Sequence, residues 1–148
     1  MAAIRRADAS WSGDLASGKG KVSAGSSGVF NQLDVSWARR SEADANGVTS
    51  PEELLAAAHA SCFAMALSAG LGRAGTPPES LNVTANVTFD RVGDGFKVVS
   101  SALRVRGKVP NMDEVGFQKA AEAAKDGCPI SQALKGNVEL SVDAALEK

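Results

Sequence analysis

The sequence has no tyrosine, a single histidine, two cysteines and only seven Phe and Trp residues among its 148 positions. So few aromatics give no platform on which bases could stack. Sixteen Lys+Arg against seventeen Asp+Glu leave a formal charge of −1 and no cationic excess to neutralise phosphates. A nucleic-acid partner is therefore not expected. Cys62 and Cys128 lie 66 positions apart, which is neither a CxxC nor a zinc-knuckle spacing, and the lone His59 cannot complete a ligand set, so no metal is expected. The opening MAAIRRADASW has arginines but no apolar stretch behind them of the kind a secretory signal requires, and the chain is expected in the cytoplasm. No repeat or low-complexity linker is present.

What is there is an ordinary globular composition, 44% hydrophobic and 22% charged. A chain of this length buries roughly 68–70% of its unfolded surface and needs no disulfide staples, so residues 1–148 read as a single domain. Strand signals run to about Trp11, through Val22, and along Val29, Leu33, Val35 and Trp37, with turn-rich segments between them; this predicts a three-stranded antiparallel meander. From Ala38 to Ser50 the periodicity vanishes into a polar loop that holds Arg39 and Arg40.

Ser50, Pro51 and Glu53 then form an N-terminal signature: a capping serine, proline at the first helical position, and a carboxylate placed for a capping box. The run that follows, Leu54 to Leu71, has the 18 residues a membrane span requires. Seven of them are alanine, and His59, Ser61 and Ser68 interrupt it, so a helix buried in protein is the expectation. Because this helix is apolar nearly all round, one small domain cannot easily cover it, and a partner subunit is a natural source of cover.

Leu81 to Phe89 alternate strictly, Gly93-Asp94-Gly95 turns the chain, and a second alternating set runs to Val109. Asn111 or Asp113 starts a further helix with Gly127 as its stop, Ile130 to Lys135 form a short one, and Val138 to Leu146 close as a strand. The predicted order is βββ-α-ββ-αα-β, an α+β fold with helices between antiparallel sheets.

Cysteine is among the most often buried residue types, and a lone His in an Ala-rich helix is ordinarily a packed core residue, so Cys62 and His59 each have a purely structural explanation. Cys128 differs, because it stands between Gly127 and Pro129 at a helix start, where backbone amides favour a thiolate. Arg39 and Arg40 read by default as a solvated pair, and Glu52 as a first-turn carboxylate. The functional alternative is that one arginine stabilises the Cys62 thiolate and is itself held by Glu52. Glu52 and Cys62 are about 15 Å apart along one helix and cannot meet directly, so an arginine from the preceding loop is the bridge.

The stretch TSPEELLAAAHASCFAMALS from Thr49, followed downstream by DGCPISQAL from Asp126, resembles the OsmC branch of the OsmC/Ohr family, the osmotically inducible and organic-hydroperoxide-resistance proteins. Similarity extends from Trp11-Ser-Gly-Asp to the last strand. The resemblance implies a homodimer of interlocked subunits around long central helices. It also implies a thiol peroxidase that reduces organic hydroperoxides and hydrogen peroxide without a cofactor. Cys62 matches the peroxidatic cysteine, Cys128 the resolving cysteine and Glu52 the arginine-holding carboxylate. Arg39 aligns with the functional arginine and Arg40 is its substitute. The cycle so implied runs from thiolate to sulfenic acid to a Cys62–Cys128 disulfide, which a dithiol of lipoyl type reopens. Phe63, Phe30 and Met65 are candidate apolar contacts for an alkyl peroxide. A cysteine-based redox sensor or stress-induced binding protein without turnover is the competing reading.

Overall fold

A computed structural model describes all residues from Met1 to Lys148. The chain gathers into two compact units, Met1–Leu54 and Leu55–Lys148.

In the first unit, β1 (Asp8–Ser12), β2 (Lys19–Ser23) and β3 (Leu33–Val35) form an antiparallel sheet in sequence order. Gly20 is required beneath Trp11, since a Cβ at that position would meet the indole ring at 2.7 Å. The expected strand residue Trp37 instead opens a five-residue helix, α1 (Trp37–Ser41), inside the segment read as a loop. Ser36 caps it, its hydroxyl accepting from the Arg39 amide at 3.3 Å. Apart from Gly18 and Gly20, the only buried residue in this unit is Glu52.

The long helix α2 (Pro51–Arg73) begins as the sequence predicts: the Ser50 hydroxyl accepts from the Glu53 amide at 3.1 Å. The Glu53 carboxylate does not close the box on the Ser50 backbone; it accepts from the Thr49 hydroxyl at 2.7 Å. The helix continues through the second unit, where His59, Phe63, Leu67 and Leu71 form one buried row at four-residue spacing. The same helix leaves Ala57, Ser61, Met65 and Ala69 exposed.

The second sheet has the order β4 (Ser80–Val92), β5 (Gly95–Lys108), β6 (Glu139–Leu146). β4 and β5 are an antiparallel hairpin with a bulge at Thr88/Phe89. β6 runs parallel to β5, with Leu103 opposite Val142, which corrects the expectation of purely antiparallel sheets. A parallel neighbour requires a crossover, and α3 (Glu114–Gly127) with α4 (Pro129–Leu134) provides it. Asp113, the second of the two predicted starts, caps α3 through the Gly116 amide at 2.7 Å. The core joins Phe63, Leu67 and Leu71 of α2 to Leu103 and Val105 of β5 and to Phe117 and Ala121 of α3. Along β5 the covered face reads Ser101, Leu103, Val105, Gly107, so one hydroxyl enters an otherwise apolar row. The α+β class read from the sequence holds.

Candidate active site

Cys62 comes from the middle of α2 and Cys128 from the junction of α3 and α4, where the Cys128 amide still donates to Ala124 and its carbonyl already accepts from the Gln132 amide. This double duty fixes its backbone at the site. The two sulfurs approach to 3.0 Å, close enough for the S–H of either to donate to the other. Both cysteines are free thiols, Cys128 fully buried and Cys62 partly exposed. The pair is thus arranged with one sulfur open to a small molecule and its neighbour shielded behind it.

Two sulfurs this close disfavour a negative charge on both at once. Burial pushes the Cys62 thiol up, and its contact with Cys128 adds to that rise. Burial also acts to raise Cys128, but its contact with Cys62 and the polar groups of Ser131 and Ile130 at the start of α4 outweigh it and hold that thiol below its ordinary value. Of the two, Cys128 is therefore the more acidic thiol within this unit, at the start of α4 where the sequence reading favoured a thiolate. Below the pair lies His59, fully enclosed, with Nδ1 2.6 Å from the Ser101 hydroxyl and Nε2 2.8 Å from that of Ser131. Sequence reasoning missed both serines.

In the first unit Glu52 is gripped by Arg40, not by Arg39. Arg40 Nε lies 3.1 and 3.2 Å from the two carboxylate oxygens and Nη2 lies 2.8 Å from Oε1. Arg39 instead pairs with Glu42 at 3.1 Å on the surface of α1. Neighbouring residues on a helix point about 100° apart, so once α1 forms only one of the two can face Glu52. Arg40 also lines a mostly apolar cavity of about 360 Å³ with Trp11, Leu15, Val35, Trp37 and Pro51. Of the apolar residues expected near substrate, Phe63 is locked in the core and Met65 is exposed, and neither lines this cavity.

A partly exposed thiol set against a buried one, in a sheet-and-helix framework, defines a two-cysteine thiol protein of α+β build. Residues 44–143 match the family described as OsmC-like protein, and the chain belongs to that family. It is 44% identical over 140 residues to the peroxiredoxin OsmC of Escherichia coli strain K12, covering 95% of this chain and 96% of that one. An organic hydroperoxide resistance protein of Xanthomonas axonopodis pv. citri is 31% identical over 98 residues, 66% of this chain and 67% of its own. The fold superposes on the crystal structure of the organic hydroperoxide resistance protein OhrB of Bacillus subtilis with a TM-score of 0.72 at 25% identity, covering 94% of this chain and 97% of that one.

Proposed function

We propose that the protein is a cytoplasmic, homodimeric thiol peroxidase that reduces organic hydroperoxides and hydrogen peroxide. The observation that carries this reading is the 3.0 Å approach of two sulfurs from positions 62 and 128, one accessible and one shielded. The names of the Escherichia coli and Xanthomonas relatives support the same chemistry.

The Cys62 thiolate attacks the distal peroxide oxygen; the O–O bond breaks, the alkoxide takes up a proton and leaves as alcohol, and Cys62 becomes a sulfenic acid. Cys128 displaces water from that sulfur to give the Cys62–Cys128 disulfide, and a dithiol, of lipoyl type in the OsmC/Ohr resemblance, restores both thiols by exchange. Since burial and the neighbouring sulfur both disfavour a thiolate at Cys62, the first requirement is a cation that stabilises it there. We assign that role to the guanidinium of Arg40, held by Glu52, with Arg39 as surface neighbour. The apolar cavity beside Arg40 suits the organic part of a hydroperoxide. The dimer is supported by the uncovered faces of α2 and by a first unit that, besides two glycines, buries only Glu52, too little for a stable layer on its own.

Mass spectrometry after one equivalent of cumene hydroperoxide tests the cycle. Loss of two hydrogens with Cys62 joined to Cys128 is expected, and intact free thiols would refute the assignment. Repeated peroxide consumption with excess dithiol separates an enzyme from a sensor, which stops after one oxidation.

A further inference from the structure

Cys62 and Cys128 are neighbouring reduced thiols, and such a pair is a ligand set as well as a redox couple. What it binds depends on how many donors converge and how far apart they stand. No group of three or more His, Cys, Asp or Glu side chains gathers anywhere in the chain. His59, one turn before Cys62 on α2, adds no donor, because it is fully buried and both its ring nitrogens are engaged, by the Ser101 hydroxyl at 2.6 Å and the Ser131 hydroxyl at 2.8 Å. Asp126, two residues before Cys128, faces Lys125 on the surface. Two sulfurs are therefore the whole set, and zinc, which takes four ligands in a structural site and three in a catalytic one, is not satisfied by them.

Spacing decides among the softer centres. With a bond of roughly 2.3 Å to each thiolate sulfur, a linear S–M–S arrangement, as two-coordinate copper(I) or mercury(II) adopts, sets the sulfurs roughly 4.6 Å apart, and a right-angled one about 3.3 Å. The two sulfurs stand 3.0 Å apart. Opening the pair to the linear span would take roughly 1.6 Å, and to the right-angled one only about 0.3 Å. A pyramidal centre that offers two positions to sulfur and has its third valence already filled is a monosubstituted trivalent arsenical, R–As=O. The bite is also held before such a ligand arrives. Cys62 lies in the middle of the 23-residue α2, and Cys128 is tied on both sides, its amide donating to Ala124 and its carbonyl accepting from the Gln132 amide. Little ordering of the protein is left to oppose binding.

We propose that the reduced Cys62–Cys128 pair is a chelating site for monosubstituted trivalent arsenicals. The site is independent of the peroxidase reading. The partly exposed Cys62 sulfur meets the arsenic first, and Cys128, 3.0 Å behind it, closes the ring. Two S–H bonds and the As=O bond break, two As–S bonds form, and one water leaves with the oxygen and both protons. Arsenic stays trivalent and neither sulfur is oxidised. Once the first bond is made the second closes within one molecule, so the chelate is far harder to displace than the adduct of a single thiol.

The test adds one equivalent of phenylarsine oxide to the reduced full-length chain and reads the product by native mass spectrometry. One phenylarsenic per chain with loss of one water is expected. The adduct should survive excess 2-mercaptoethanol and come off with 2,3-dimercaptopropanol. Cys62→Ser and Cys128→Ser should each hold the arsenical about 10²-fold or more weakly, the advantage a linked second contact supplies, and release it to the monothiol. Zinc at the same concentration should not compete. Release of the parent adduct by the monothiol, equal retention by either variant, or displacement by zinc would overturn the chelate. Should Cys128→Ser fail to fold, Cys62→Ser, at the partly exposed position, decides. A parallel sample treated with cumene hydroperoxide keeps the two readings apart. A disulfide there without an arsenical adduct refutes the chelate alone, and an adduct without a disulfide supports the chelate while refuting the peroxidase reading.

Discussion

Arg39 and Arg40 are one residue apart and their side chains are equally exposed, at 33% each, yet they should behave very differently on truncation. The difference lies in their partners. The Glu52 side chain is 9% exposed and takes three contacts from Arg40, whereas the Glu42 side chain is 56% exposed and takes one from Arg39. Removing one member of a fully buried pair costs roughly 3–5 kcal/mol because the survivor is stranded without water. Water reaches the third of Arg40 that is exposed and softens that penalty, which places Arg40→Ala at about 2–3 kcal/mol. Arg39→Ala loses a surface pair worth about 0.3–0.5 kcal/mol. Urea denaturation of both variants at one protein concentration reads the difference, and Glu52→Gln combined with Arg40→Ala should show most of the loss to be shared. The rate of Cys62 oxidation by cumene hydroperoxide, followed in the same samples, should fall only with Arg40→Ala. If Arg39→Ala is as damaging as Arg40→Ala in either measurement, the assignment of the guanidinium to Arg40 is wrong.

That choice between two arginines shows where the sequence stopped being informative. The capping signature at Ser50 and Pro51 and the long apolar run made α2 plain, but a helix apolar nearly all round did not show which side is covered; the row His59, Phe63, Leu67 and Leu71 emerged only in the fold. α1 has one turn and thus no period to detect; only Ser36 marked its start, and without the helix nothing set the phase of Arg39 against Arg40. The direction of β6 was equally hidden, because alternation reads the same in a parallel or an antiparallel ladder, although the two helices before it were a clue to a crossover. Nothing in spacing or periodicity pairs residues 62 and 128; that expectation came from resemblance, and the folded chain brings their sulfurs together. Ser131 carried no pattern of its own. Ser101 did, since it is in step with Leu103 and Val105 on the covered face of β5, and a hydroxyl in that row signals a buried partner.

Gly107→Ala should lower stability by about 1–3 kcal/mol in thermal or urea unfolding, because its new Cβ would meet the buried Phe117 ring at 2.6 Å and Leu81 at 3.0 Å; an unchanged midpoint would show that the ring yields freely. Light scattering on a sizing column should give about twice the 15.1 kDa of the chain, and a monomer at micromolar concentration would remove the proposed cover for α2. Acid should weaken the fold through His59. The unfolded ring binds a proton near pH 6.5, whereas burial lowers the folded value, so between the two the unfolded state holds more protons. Stability then rises with pH across that window and is lost as pH falls from about 6.5, with a slope approaching 1.4 kcal/mol per pH unit. The carboxylates of Asp14, Asp34 and Asp143, held below their ordinary 3.8 by hydrogen bonds from Ser17, Lys21 and Arg106 respectively, titrate further down and do not contribute there. Denaturation midpoints at neutral pH and near pH 5.5 measure the slope, which His59→Gln should flatten; a variant as acid-sensitive as the parent would place the proton uptake elsewhere.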